Sequence, residues 1–312
     1  MSASTRLILQ EPFRAVFYTP FYAALARDAF ARQGVDVTLI TVGEPDRAVA
    51  NLLSGAADLA WSGPMRVIRD HAAAQVTGGT SPLVSFGAVV MGDPFVLMGR
   101  GPKPAGFALG DLTRLRLGTV SEVPTPWWCL QDDLRRIGVD PAAVPTTQGR
   151  SMRENAEALE RGEIDLAQVF EPFASELEAR GVATAWHAQA ARGPTSYTAF
   201  YATRERVAAR REAFKGMVRA MAETLAWLHA TPPAEIAATV GPRFFEALDP
   251  TLLAAGIARY RALGIWMTTP RFPQAAFDRL QAAMLGAGAI ARAPGFAACV
   301  DTAIEAEALS AA

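Results

Sequence analysis

Leu53-Ser54-Gly55-Ala56-Ala57-Asp58-Leu59-Ala60-Trp61-Ser62-Gly63-Pro64 compresses a helix end, a strand and a helix start into one short stretch. The helix predicted over 48–53 stops at Ser54-Gly55, and a strand follows over Asp58–Trp61. Pro64 suits the first turn of the next helix, where its missing N–H has no partner to lose and its φ is already helical. The same order recurs at Leu159-Glu160-Arg161-Gly162-Glu163-Ile164-Asp165-Leu166-Ala167-Gln168-Val169-Phe170-Glu171-Pro172. Here the helix predicted over Met152–Arg161 stops at Gly162, the strand is Asp165–Phe170, and Pro172 opens a further helix. Alternation of this kind is the signature of parallel α/β construction, and two separate copies predict two such units.

Outward from these stretches the pattern holds. Strands are expected at Arg6–Gln10, Val35–Ile40 and Leu83–Met91, with helices at Phe21–Gln33 and Met65–Ala74 between them. Gly and Pro then cluster at Gly92-Asp93-Pro94 and Gly99–Gly106. Beyond the break, strands are expected at Arg116–Val120 and Val144–Thr147, a helix at Trp127–Ile137, and one further strand at Tyr197–Ala202. From Glu205 onward the pattern is almost wholly helical: Arg211–His229, Pro250–Leu263, Pro273–Leu285 and Gly295–Ala308. The economical arrangement is two lobes, the first discontinuous. Residues 1–93 and 200–312 form lobe one, with the helical C-terminal region packed on it, and residues 94–199 form lobe two. The hinge crossings fall near 92–95 and 197–201.

Composition narrows the function. The 312 residues are 51% hydrophobic and 20% charged, enough for a sizeable core. Lys+Arg 30 against Asp+Glu 31, with the signs interspersed, leaves no basic footprint for nucleic acid. No apolar run is long enough to span a bilayer, so no membrane insertion is expected. The apolar run after Arg6 is too short for a signal-peptide core, which implies a cytoplasmic protein if the start is native. Cys129 and Cys299 belong to no CxxC pair and read as two buried thiols.

Thr19-Pro20, Glu44-Pro45, Gly63-Pro64, Thr125-Pro126 and Glu171-Pro172 all lie where a strand gives way to a helix. Ser151 and Glu154 form a capping box at another such junction. In an open parallel sheet these junctions line the carboxyl edge, where ligands bind. Aromatic residues gather at the same places: Tyr18, Phe21, Tyr22, Trp61, Trp127, Trp128 and Tyr197 are candidates to stack on a planar ligand. Adjacent helical residues point about 100° apart, so Trp127 and Trp128 cannot both face one core stripe. Ser62, Gly63, Ser121, Thr125 and Ser151 are candidate polar contacts, with Asp93 at the hinge. Glu44 and Glu171 are candidate acceptors for ring or amine N–H groups, and Arg150 a candidate partner for an acid.

Three blocks also carry a family likeness. Phe21-Tyr22-Ala23-Ala24-Leu25-Ala26 with Phe30-Ala31-Arg32-Gln33-Gly34-Val35-Asp36-Val37, the segment from Leu53 to Pro64, and the segment from Leu159 to Phe173 resemble the SsuA/THI5-like (NMT1) substrate-binding proteins. The resemblance implies a type II periplasmic-binding-protein fold, with mixed sheets flanked by helices and a ligand held in the interlobe cleft. It implies the periplasmic component of an ABC importer, for sulfonates, nitrate, taurine or thiamine-pathway pyrimidines. The aromatic residues and nearby acids favour a planar heterocyclic or aromatic compound over a small sulfonate, with a sulfonate-type compound as the other expectation. The expected partners are that small molecule and an ABC permease, for a monomer that closes by hinge motion.

Enzymatic signatures are missing. His71, His187 and His229 form no metal set, neither lysine sits in a Walker A sequence, and no GxSxG elbow occurs. No cofactor or metal is called for, and no residue is assigned as catalytic. The competing expectation is a cytoplasmic enzyme of the same fold, a lyase, a decarboxylase or one of pyrimidine-pathway type, using a cleft carboxylate such as Glu44, Glu122 or Glu171.

Overall fold

The structure, a computed structural model, describes residues 4–310. In chain order its strands are β1 (Thr5–Glu11), β2 (Val35–Thr41), β3 (Leu59–Ser62), β4 (Leu83–Val90), β5 (Val96–Arg100), β6 (Leu117–Gly118), β7 (Thr146–Thr147), β8 (Leu166–Val169), β9 (Ala183–Ala188) and β10 (Thr198–Thr203). They form two sheets, β2-β1-β3-β10-β4 and β7-β6-β8-β5-β9. Each sheet begins with three parallel strands. Each then takes in one antiparallel strand: β10 between β3 and β4, and β5 between β8 and β9. The two sheets therefore share one plan, with the chain passing between them twice. At the crossings the two passes are hydrogen-bonded to each other, Thr195 N–H to Met91 O at 2.8 Å and Tyr197 N–H to Val90 O at 2.9 Å.

The repeated sequence segments do the same job in both lobes. Gly55 and Gly162 end their helices, Pro45–Ser54 and Met152–Arg161, in the left-handed region at φ +76° and +73°. A side chain would be strained there, so glycine stops the helix cleanly. Three residues on, the Asp58 carboxylate accepts the Ile8 N–H at 2.7 Å, and the Asp165 carboxylate accepts the Arg116 N–H at 2.8 Å. Each acid thus clamps the start of the new strand to its neighbour, which explains the common Gly-x-x-Asp spacing. The capping box at Ser151 also forms, with Ser151 N–H donating to Glu154 at 2.7 Å.

Two strands and several breaks differ from the sequence expectation. Strand β5 lies inside the Gly/Pro-rich stretch, and β9, Ala-Thr-Ala-Trp-His-Ala, is rich in alanine; neither offers a strong β pattern. The helix expected over 21–33 is split into Thr19–Ala26 and Ala29–Arg32 by Asp28 at φ +54°. The last helix is split into Phe296–Cys299 and Thr302–Leu309, because Asp301 caps the second piece. The helical tail also reaches beyond lobe one. Its helix Gln274–Gly286 packs on Thr125–Arg136, and Pro250–Ala262 packs on Phe173–Ala179. No helix among the described residues is long and apolar enough to cross a membrane.

Candidate functional site

The carboxyl ends of all six parallel strands open into the space between the lobes. Lining residues follow β1 (Phe13 to Val16), β2 (Gly43), β3 (Ser62 to Arg66), β6 (Glu122 to Thr125), β7 (Met152, Arg153) and β8 (Phe170 to Phe173). The segment 243–248 closes one side. The main cavity measures about 830 Å³. A smaller recess of about 40 Å³, lined by Tyr18, Ser62, Gly63, Arg66, Thr125 and Tyr197, shares Phe13 with it. This is the position in which open α/β sheets bind ligands.

The walls are strongly aromatic. Phe170 packs on Phe17 and Phe95, with centroids 5.3 and 5.2 Å away, and Phe173 lies 6.4 Å from Phe170. Phe244 and Phe245 face from the segment that closes the cavity. Guanidinium groups lie on these rings: Arg153 stands 5.3 Å from the Phe173 centroid, and Arg14 and Arg243 stand 5.1 and 5.0 Å from that of Phe244. In the recess, Arg66 Nε–H donates to Ser62 Oγ at 3.2 Å.

The structure brings some of the sequence candidates together here and places others elsewhere. Tyr18, Ser62, Gly63, Thr125 and Tyr197 line the recess, and Glu171 lines the main cavity. The Glu171 carboxylate, however, is fully engaged. It accepts from Ser175 N–H and Ser175 Oγ–H, each at 2.9 Å, and pairs with Arg259 at 2.5 Å. Phe21, Tyr22 and Trp61 are completely buried, with Phe21 and Trp61 stacked at 4.5 Å. They lie in the lobe-one core, because the helix Thr19–Ala26 turns Phe21 and Tyr22 onto Trp61 of β3. Trp127 packs into the lobe-two core and Trp128 against the core that Cys129 joins, so neither lines the cavity. Arg150 pairs with Glu163 at 3.2 Å, and Ser151 is occupied by its capping box. Glu44 and Ser121 are exposed beside lining residues without lining the cavity themselves.

Asp93 lies at the first crossing between the two sheets. Completely buried, it accepts from Phe95 N–H at 2.9 Å, Gln189 Nε2–H at 3.2 Å and Tyr197 O–H at 2.5 Å, and it pairs with Arg192. Burial pushes its carboxyl above the ordinary range, against the pull of Arg192 and Tyr197. Arg192 also reaches Asp133 at 2.6 Å, so the cluster ties both crossings to a lobe-two helix.

Sequence reasoning passed over Arg14, Arg153 and the 243–248 wall. Arg14 was legible as a charge inside the apolar run Phe13–Tyr18, and Phe244-Phe245 as an aromatic pair at a helix end. The histidines stand away from the lining, His71 on Leu83 O at 2.8 Å and His229 on Met267 O at 2.9 Å. Both cysteines are free and buried, and burial pushes each thiol up to about 12. No group of three or more His, Cys, Asp or Glu among the described residues could hold a metal ion.

Known proteins share this architecture. The family model described as "NMT1/THI5 like" matches residues 16–235. "Putative binding protein YtlA" of Bacillus subtilis (strain 168) is 23% identical over 285 residues, covering 90% of this chain and 83% of that protein. The periplasmic aliphatic sulphonate binding protein SsuA from Escherichia coli superposes with a TM-score of 0.70 at 15% identity, covering 94% of this chain and 90% of that one. The desulfurization enzyme DSZB does so with a TM-score of 0.69 at 13% identity, covering 98% and 99%. The fold is that of type II periplasmic binding proteins.

Proposed function

The chain belongs to the NMT1/THI5-like family, and on that premise we propose that it is a solute-binding protein that captures a planar aromatic or heterocyclic compound, sulfonates included, between its lobes. The observation that carries this reading is the cavity of about 830 Å³ at the ends of the parallel strands, walled by phenylalanines from both lobes. A flat apolar body would lie among Phe13, Phe170, Phe173 and Phe244, with Tyr18, Ser62, Thr125 and Tyr197 as polar contacts in the recess. The hydrogen-bonded pair of crossings at Met91 and Thr195 would serve as the hinge for closure. Delivery of the ligand to an ABC permease is supported by the fold shared with the ligand binding component of an ABC-type import system from Staphylococcus aureus, and a periplasmic location by the fold shared with the periplasmic SsuA.

Binding without turnover is the preferred reading, because of the candidate carboxylates that line the cavity Glu171 is held by Ser175 and Arg259, and Glu122 accepts the Met152 N–H at 2.9 Å. A thermal-shift screen tests it, using pyrimidines, purines, aromatic acids and their amides, sulfonates and nitrate, with product analysis on every hit. Saturating ligand, near 100 times the Kd, should add about 2.7 kcal/mol and raise Tm by several degrees. Consumption of a hit would assign the chain to enzymes of the kind DSZB represents, and silence across the panel would overturn the ligand-binding reading.

A further inference from the structure

We infer that Arg14 sets the ligand specificity of the cavity, selecting a flat apolar molecule that carries an acidic group; this rests on the ligand-binding reading above. Arg14 leaves β1 three residues after Glu11, and its guanidinium is held from behind. Its Nη2 lies 2.8 Å from Glu11 Oε1, and its Nη1 donates to Phe244 O at 3.4 Å. The rings of Tyr22 and Phe244 stand 5.0 and 5.1 Å from it. Glu11 is itself immobile: its side chain is wholly buried, and it accepts from Tyr22 O–H at 2.5 Å and Thr41 O–H at 2.6 Å.

The remaining 34% of the Arg14 side chain is exposed where the residue lines the cavity. A guanidinium carries five N–H donors in a rigid fork, so two bonds behind it leave donors for the cavity side. Such a fork matches a carboxylate or sulfonate, and one already fixed in place loses little freedom on binding. The ring beside it supplies the apolar half of the recognition, since Phe244 both flanks Arg14 and lines the wall. Arg153 and Arg243 also line the cavity and add positive potential, but no buried acid among the described residues anchors either in the way that Glu11 anchors Arg14.

Isothermal titration of the full chain with 2-naphthoate and with its neutral counterpart 2-naphthamide tests this. The wild type should bind the acid about ten-fold more tightly than the amide, the worth of one charge-assisted hydrogen bond. Arg14→Gln should abolish that gap by weakening the acid alone, and Arg14→Lys should restore part of it. Unchanged amide binding shows that each variant is folded and its cavity intact, which a merely structural role for Arg14 would not allow. Equal binding of acid and amide by the wild type, or a gap that survives in Arg14→Gln, overturns the inference. Binding of neither probe, with hits elsewhere in the wider panel, overturns it while leaving ligand capture standing; silence across that panel overturns both.

Discussion

Phe13 and Phe170 lie with their ring planes 6° apart and their centroids 6.3 Å from one another, one contributed by the loop after β1 and the other by the end of β8. This offset stack joins the lobes at the cavity wall, and aromatic pairs of that kind add about 0.5–1.5 kcal/mol beyond their buried area. The two residues are not equivalent. Phe170 is 5% exposed and packs on Phe17 and Phe95, whereas Phe13 is half-buried and borders both the cavity and the recess. Phe170→Ala should therefore cost about 3–5 kcal/mol of stability in urea unfolding, as for a buried phenylalanine. Phe13→Ala should cost less than half of that and should weaken an aromatic ligand about ten-fold. Equal destabilisation by the two substitutions would show that Phe13 is a core residue.

The Glu171–Arg259 pair should report on structure rather than on ligand. Glu171 is 1% exposed, its backbone N–H donates to Tyr260 Oη at 2.8 Å, and its carboxylate spans Ser175 and Arg259. Glu171→Gln keeps the shape but removes the charge, so charged hydrogen bonds worth about 1.5–3 kcal/mol are weakened. The expected outcome is a lower urea midpoint with ligand affinity within two-fold of wild type, about 0.4 kcal/mol. An affinity loss larger than the stability loss would return Glu171 to direct contact with ligand.

Why the fold was legible and much of the site was not follows from the same residues. Gly55, Asp58, Gly162 and Asp165 act through backbone conformation and backbone hydrogen bonds, which are local and leave a fixed spacing in the sequence. Cleft candidates at the junctions, such as Ser62 and Thr125, were equally local, because strand ends and helix starts are written in proline and glycine. Phe21, Tyr22 and Trp61 sit at the same junctions yet point into the core, and only packing decides which way a junction residue faces. Arg14 and the 243–248 wall come together across more than 200 residues of chain, a juxtaposition with no local signature. Strands β5 and β9 escaped for the related reason that tertiary pairing overrides weak β propensity.

The Asp93 cluster at the crossings should be stiff because it is buried and nearly fully paired. Tyr197→Phe removes one hydrogen bond to a buried carboxylate, at a cost of about 1.5–3 kcal/mol. Arg192→Met leaves Asp93 and Asp133 without their shared cation and should cost about 3–5 kcal/mol. The order of the two effects is the test. A Tyr197→Phe loss as large as that of Arg192→Met would mean that the phenol, rather than the guanidinium, holds Asp93 in place.

Glu305 gives the protein a pH dependence whose sign is fixed by burial. The residue lies on the final helix, Thr302–Leu309, is 2% exposed, and accepts the N–H groups of Gly87 at 2.7 Å and Phe272 at 2.9 Å. Burial raises its carboxyl from 4.5 to about 7, outweighing those two amides and nearby Arg271, which pull it down. In the unfolded chain the group ionises near its ordinary value, so between pH 4.5 and 7 the folded state holds the extra proton. Stability from this group is therefore full below pH 4.5, falls as pH rises through that window, and is lost above 7, a total of roughly 3 kcal/mol. Glu305→Gln cannot titrate. Urea midpoints of wild type and variant, measured from pH 4 to 8, should diverge across the window, with the wild type losing ground as pH rises. The variant's amide cannot accept from both backbone N–H groups, which lowers its curve by a constant and leaves the pH-dependent difference intact. A difference curve that stays flat from pH 4.5 to 7 would show that Glu305 ionises in the folded protein as readily as in the unfolded chain.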